Sequence, residues 1–307
     1  MRRFPLLPLL QSLVLSLGLA ACAAPVAAPP QTAEGCTLSR RADLPLVDAR
    51  NFMLAPVRIN HHTAQLVVDT GAETSLVTPQ AAHALALPRA PGKGTVLLGI
   101  SGAVRTENVL AQEFVVGDTI RTDKRLGLGA MPSFPHASPP VIGLLGADVL
   151  AQYDIDLDLP NGRMALYAAR GCTRIMPWPG AVSVPIARTR SGLAFVDVLV
   201  NGTTVRALLD TGARTTLLAR ETAARLGLTP AVLARDPARV GVGIGLVDLG
   251  VRQHRFAELG LPGAIDHDVA ANIADLRLPG IAMLLGADYL GRRRVWISYA
   301  TNRLYFR

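Results

Sequence analysis

The chain has 307 residues, half of them hydrophobic and only 18% charged, with 28 Gly and 22 Pro. This length suits two domains, the apolar content excludes wholesale disorder, and the frequent turn residues favour many short strands over long helices. The formal charge of +8 is scattered; its densest run, Arg292-Arg293-Arg294, reads as a solvated surface loop, and no nucleic-acid partner is expected.

Arg2 and Arg3 precede an apolar run from Phe4 to Ala21, followed by Cys22 and an Ala/Pro-rich stretch. A basic end, a short apolar core and small residues at the cut are the layout of a secretory signal peptide, assigned to residues 1–21. Pro5 and Pro8 interrupt a segment barely long enough to cross a membrane, which argues against a transmembrane helix. Leu19-Ala20-Ala21-Cys22 resembles the lipobox of bacterial lipoproteins, which implies lipidation of Cys22; a plain signal peptide cut between Ala21 and Ala28 is the alternative. Ala23 after that Cys implies the outer membrane, with the protein facing the periplasm. Residues 22–45 are then a flexible lipidated tether. Disulfides persist in an exported protein. Setting Cys22 aside leaves Cys36 and Cys172, an even remainder that suggests a bridge, with two free thiols as the alternative.

Further along, Leu66-Val67-Val68-Asp69-Thr70-Gly71-Ala72-Glu73-Thr74-Ser75-Leu76 matches Ala207-Leu208-Leu209-Asp210-Thr211-Gly212-Ala213-Arg214-Thr215-Thr216-Leu217, an offset of 141 residues (69 to 210). Leu144-Leu145-Gly146-Ala147-Asp148 matches Leu284-Leu285-Gly286-Ala287-Asp288 at an offset of 140 (146 to 286). Two motifs at nearly constant separation mean a duplicated domain. Val57 to Ile59, a turn at Asn60-His61 and a strand through Leu66 to Val68 lead to the first Asp-Thr-Gly. Phe195 to Val200, a turn at Asn201-Gly202 and a strand from Val205 to Leu209 lead to the second. A helical turn follows each motif, at Pro79 to Leu87 and Arg220 to Leu228. Each half then carries a Gly-containing apolar segment suited to a hairpin, Leu97 to Gly102 and Val242 to Gly245, the second less hairpin-like. Met131 to Pro140 reads as a surface loop. The domains are placed at 46–170 and 180–307, joined by a linker at 171–179.

One Asp-Thr-Gly alone is weak evidence, expected by chance in roughly one chain in twenty of this length. Two, at equivalent places of a duplication, are not. Each ends an apolar strand, which presents its carboxylate at a domain edge. Gly71 and Gly212 lack a Cβ and let two such loops approach closely, and the Thr70 and Thr211 hydroxyls can anchor the loops. Side by side, Asp69 and Asp210 would share one proton, so that one carboxylate activates water while the other protonates the scissile carbonyl.

These motifs resemble the aspartic peptidases, and most closely the retropepsin-like branch, where Asp-Thr-Gly-Ala is common. Leu144 to Asp148 and Leu284 to Asp288 resemble the hydrophobic-hydrophobic-Gly segment that threads behind the catalytic loop. The resemblance implies an all-β, two-lobed acid-protease fold of two β-barrel-like domains about a pseudo-twofold axis, and an endopeptidase with Asp69 and Asp210 as the catalytic pair. It implies Thr70, Gly71, Thr211 and Gly212 as loop supports, and Gly99, Ile100, Ser101 and Gly102 with Gly243, Ile244 and Gly245 as flap tips over a peptide substrate. No metal or organic cofactor is called for, and a monomer suffices because both motifs lie in one chain. Ala72 and Ala213 lack the hydroxyl that helps keep such a pair ionised in acid, so activity is expected at mild pH. The alternative is a catalytically inactive envelope lipoprotein that binds peptides or a partner.

Other constellations carry less. Asp154-Ile155-Asp156-Leu157-Asp158 begins like a calcium loop, but Leu159 and Ala165 stand where Gly and Glu are required. It reads as a strand with apolar residues inward and Asp outward, turning at Asn161-Gly162. His61, His62, His254 and His267 lack zinc spacing and read as surface residues. Asp148 and Asp288 read as caps of the short helices after Gly146 and Gly286.

Overall fold

The computed structural model describes residues 30–99, 102–242, 248–276 and 278–307. The leader, Cys22 and the flap-tip residues Ile100, Ser101, Gly243, Ile244 and Gly245 lie outside them. The fold is all-β, with two six-stranded barrels joined by a shared sheet.

Each barrel starts from a hairpin that ends at an Asp-Thr-Gly motif. Met53–Ile59 pairs with His62–Val68, and Ala194–Val200 with Thr203–Leu209, at an offset of 141 residues in both strands (53 to 194, 62 to 203). The turns are two-residue loops with positive φ at both positions, 45° and 68° at Asn60-His61 and 47° and 77° at Asn201-Gly202. That conformation matches the twist of the flanking strands and suits Asn-Gly best. The exposed His61 holds it against steric cost, so His61→Gly is expected to stabilise the chain by about 0.5–1 kcal/mol in urea unfolding. A neutral or negative result would mean that the turn carries no strain.

In the first barrel the ring runs Met53–Ile59, His62–Val68, Val141–Leu145, Leu76–Val77, Thr119–Leu128, Asn108–Val116, and closes through Arg58↔Val115 and Ile59↔Phe114. The second runs Ala194–Val200, Thr203–Leu209, Met283–Leu285, Leu217–Ala219, Ala264–Ala274, Asp248–Leu261, and closes through Leu199↔Gly260 and Val200↔Leu259. In each, the apolar strand that carries the two leucines of the Leu-Leu-Gly segment threads between the strand entering the Asp-Thr-Gly loop and the one leaving it. The strands flanking both expected flap tips pair over five residues each, Thr95–Gly99 with Gly102–Thr106 and Ala238–Val242 with the start of Asp248–Leu261. The strands that flank the second expected tip pair as fully as those that flank the first, while Gly243, Ile244 and Gly245 themselves lie outside the described residues.

The shared sheet takes three strands from each lobe, in the order Val182–Pro185, Arg303–Phe306, Arg294–Ser298, Asp154–Asp158, Arg163–Arg170, Thr37–Pro45. Its centre is the antiparallel pair Ile155↔Ile297 and Leu157↔Val295. One face, carrying Ile155, Leu157, Val295 and Ile297, continues the core of both barrels. The other carries Trp296, Tyr305 and Tyr167, and the segment with Ile175 and Trp178 packs on it.

Four expectations change here. Residues 37–45, read as tether, form an edge strand that buries Ala42 and Leu44, because the strand Arg163–Arg170 would otherwise offer an open edge. Asp154 and Asp156 do point away from the barrels, yet they are buried, since the second face is covered as well. Asp154 accepts from Trp296 Nε1, Ser298 Oγ and the Ala300 amide at 3.2, 2.6 and 3.0 Å, and Asp156 takes a two-pronged ion pair from Arg294 at 2.9 and 2.6 Å. The Arg292–Arg294 run is not a solvated loop: Arg293 stacks on Tyr289 and pairs with Asp266, while Arg294 joins the two lobes. His254 is largely buried with its Nδ1 2.7 Å from Asp236. Partners remote in sequence keep these groups inside, neutral donors for Asp154 and opposite charges for Asp156, Arg293 and Arg294, which no linear spacing displays.

Cys36 and Cys172 are joined by a disulfide. It ties the start of the edge strand to the interlobe segment, beside the short pairing of Gln31–Thr32 with Ile175–Met176.

Candidate active site

Both Asp-Thr-Gly loops are held at the interface of the lobes by four buried hydrogen bonds that cross it. Thr70 Oγ1 donates to Leu209 O at 2.8 Å and accepts the Thr211 amide at 3.1 Å; Thr211 Oγ1 donates to Val68 O at 2.7 Å and accepts the Thr70 amide at 3.1 Å. Both threonines are fully buried. Each hydroxyl therefore anchors the opposite loop rather than only its own. That exchange brings Asp69 and Asp210 together.

The Asp210 carboxyl lies against Gly71 and the Asp69 carboxyl against Gly212, so each side chain reaches into the other's loop. A β-carbon on Gly71 would overlap the Asp210 carboxyl, and one on Gly212 the Asp69 carboxyl, so only glycine allows this approach. Asp69 Oδ1 accepts the Gly71 amide at 3.0 Å; Asp210 Oδ1 accepts the Gly212 and Ala213 amides at 3.0 and 2.9 Å. Asp69 is buried and Asp210 half-buried. Burial pushes the Asp69 carboxyl well above its usual range, and the neighbouring Asp210 charge adds to the effect. Burial raises Asp210 to about 6, opposed by the Ala213 and Gly212 amides. Two carboxyls so placed hold one proton between them over a wide pH range.

Residues 55–149 match the family model of aspartyl proteases, and residues 196–292 that of the gag-polyprotein aspartyl proteases. Both lobes are aspartyl-protease-family domains. Comparison with curated proteins gave no match. Among solved structures the chain is similar to a retropepsin-like aspartic protease from Rickettsia conorii, with 20% identity and a TM-score of 0.32, over 40% of this chain and 98% of that one.

Behind each loop the two protease domains use the same segment. Gly146 packs where a Cβ would strike the backbone of Ala72 to Ser75, and Gly286 does the same at Thr215 and Thr216. Asp148 and Asp288, expected as helix caps, sit in the first helical turn and reach across instead, the cap positions being Gly146 and Gly286. Asp148 Oδ1 accepts the Ser75 amide and hydroxyl at 2.8 and 2.6 Å, and Asp288 Oδ1 accepts those of Thr216, both at 2.8 Å. The hydroxyls accept in turn from the Gly146 and Gly286 amides at 3.0 and 3.2 Å. Sequence reasoning missed Ser75 and Thr216. Their signal was available: both halves keep a hydroxyl six residues after the Asp, and a carboxylate two residues after the Gly.

Of the expected flap residues, Gly99 and Gly102 form the last pair of the first hairpin. Among the described residues two cavities lie elsewhere, and neither is lined by Asp69 or Asp210. One of about 320 Å³ is apolar, on the second lobe around Leu199 and Pro262; the other, of about 520 Å³, lies between Asp148 and Gln152 of one lobe and Arg188 to Ser191 of the other.

Proposed function

We propose that this protein is an aspartic endopeptidase that hydrolyses peptide bonds with water activated between Asp69 and Asp210. The contact of two raised-pKa carboxyls, one from each lobe, carries this reading. Asp210, the more exposed, ionises first and takes a proton from water. Asp69 gives its proton to the carbonyl oxygen as the water oxygen attacks the carbon. The tetrahedral intermediate collapses when the nitrogen is protonated and the C–N bond breaks, returning one proton to the pair. No step calls for a metal or organic cofactor, and one chain supplies both carboxyls.

Profiling a peptide library across pH, with and without a hydroxyl-bearing transition-state peptide, tests this. Cleavage is expected to rise with pH through about 6 as the doubly protonated pair loses its first proton, and to be blocked by the analogue. A cleavage maximum below about pH 3, where an ordinary carboxyl is mostly neutral, contradicts the raised pair. A chain that binds the analogue but cuts no peptide at any pH is the peptide-binding lipoprotein instead.

The same proposal places the enzyme in the bacterial envelope, anchored in the outer membrane through lipid on Cys22 and facing the periplasm. The N-terminal sequence supports this. Cys22→Ser is expected to release the protein from the membrane fraction and to remove the acyl mass from its N-terminal peptide; a membrane-bound variant would refute the anchor.

A further inference from the structure

The Asp69 and Asp210 loops are clamped from behind by chemically different devices. In the first lobe Lys124, on the strand Thr119–Leu128, sets its ammonium against Asp148 Oδ2, with the two side chains only 15% and 22% exposed. The other oxygen of Asp148 holds the Ser75 amide and hydroxyl. In the second lobe the register Asn272↔Leu217 corresponds to Gly127↔Leu76 in the first. Val269, three residues before Asn272, therefore occupies the place of Lys124, and it packs on the core. Asp288 has Thr216 and, among the described residues, no ammonium; burial pushes its carboxyl up, opposed by the Thr216 hydroxyl and amide, the Tyr289 amide and, least, Arg292.

We propose that Lys124 is a positioning residue for Asp69, acting through Asp148 and Ser75, and that Val269 leaves the Asp210 loop without an equivalent. The Asp69–Ser75 loop is pinned at its start by the Asp69 amide on Leu145 O at 3.0 Å and at its end by Asp148. A half-buried carboxylate with a cation on one oxygen keeps one rotamer, so its other oxygen stays aimed at Ser75. The further charged groups around Asp148 are Glu73, whose backbone carbonyl accepts the Asp148 amide at 3.1 Å and whose carboxylate accepts Ser191 Oγ at 2.6 Å, Arg188 and Arg190, across the cavity, and Arg121, which reaches Gln152 at 2.7 Å while Gln152 donates to Asp148 O at 2.7 Å. None of these is within ion-pair distance of the Asp148 carboxylate, which leaves that role to Lys124 among the described residues.

The test compares Lys124→Met, Lys124→Arg and Asp148→Asn in the full chain. Lys124→Met is expected to lower kcat about 10- to 100-fold with KM within about twofold, because a displaced carboxyl costs chemistry rather than affinity. Lys124→Arg is expected to restore most of kcat. Lys124→Met added to Asp148→Asn should lose nothing more than Asp148→Asn alone. The kinetic arm rests on the peptidase reading; a second arm does not. Carbon-13 NMR titration of the aspartate carboxyls is expected to show the Asp69 step of the pair displaced in Lys124→Met and restored in Lys124→Arg. A wild type that cleaves nothing would sink the peptidase reading and leave this arm to decide. A lowered Tm with unchanged pair titration, and unchanged kcat where cleavage is measurable, would overturn the proposal and make Lys124 a brace of the fold only.

Discussion

Asp210→Asn is expected to leave a folded chain that cleaves peptides at least about 1,000-fold more slowly, and to melt several degrees higher than the parent at pH 7.5. Both effects come from the same crowding. An amide cannot take a proton from water, so the general base is gone, and Asp69→Asn removes the acid partner with similar loss. The stability gain follows from proton linkage. Asp210 is raised from its usual 3.8 to about 6, and Asp69 is held well above its usual range. Between about pH 4 and about 6 the folded chain holds the Asp210 proton that the unfolded chain has released, so unfolding free energy falls as pH rises. Above about 6 the full Asp210 cost is present. Asn removes it, for a gain on the order of 1–3 kcal/mol at pH 7.5 and almost none at pH 3.5, where the parent pair is already neutral. Thermal melts of both variants at the two pH values, beside peptide cleavage, make the check. Undiminished cleavage in either variant ends the two-carboxylate mechanism; equal gains at both pH values would mean that the pair is not raised.

Thr211→Val is expected to cost about 2–5 kcal/mol in urea unfolding and to abolish most cleavage. The replacement has nearly the same shape, so packing is kept, but Val68 O loses its donor and the Thr70 amide its acceptor. Each unsatisfied buried group costs about 1–3 kcal/mol. The orphaned groups lie beside Asp69, so the first loop relaxes as well and the carboxyls separate. Thr70→Val strands Leu209 O and the Thr211 amide in the same way. Thr211→Ser keeps the hydroxyl and should recover most of both properties. A Thr211→Val chain within about 0.5 kcal/mol of the parent would show that the crossed hydrogen bonds are not what holds the lobes in register.

Much of the candidate site was legible because the duplication writes it twice. Asp69 and Asp210, their threonines and glycines, and the two Leu-Leu-Gly segments stand out as equivalent residues at nearly constant offset, whatever the rest of the chain does. The Asn60-His61 and Asn201-Gly202 turns were readable for a local reason, since left-handed turn residues show in two positions. The surroundings of Asp154, Asp156, Arg293 and His254 were not. A strand of alternating Asp and apolar residues reads as half solvated, and only the segment laid over the outer face of the shared sheet turns that face into interior.

Residue pattern alone determined the strand-rich duplication, the two acidic loops and the residue types able to bring them close, because each is a property of a short stretch and its repeat. Tertiary structure alone decided that the threonines exchange hydrogen bonds between lobes, that Asp148 and Asp288 reach back to hold the loops, and that residues 37–45 complete a sheet. Each of those depends on a partner supplied by a remote strand, at separations such as 141 residues for Thr70 and Thr211. A hydrogen bond or ion pair carries no periodicity, so its donor and acceptor become visible as partners only once the chain has folded them together.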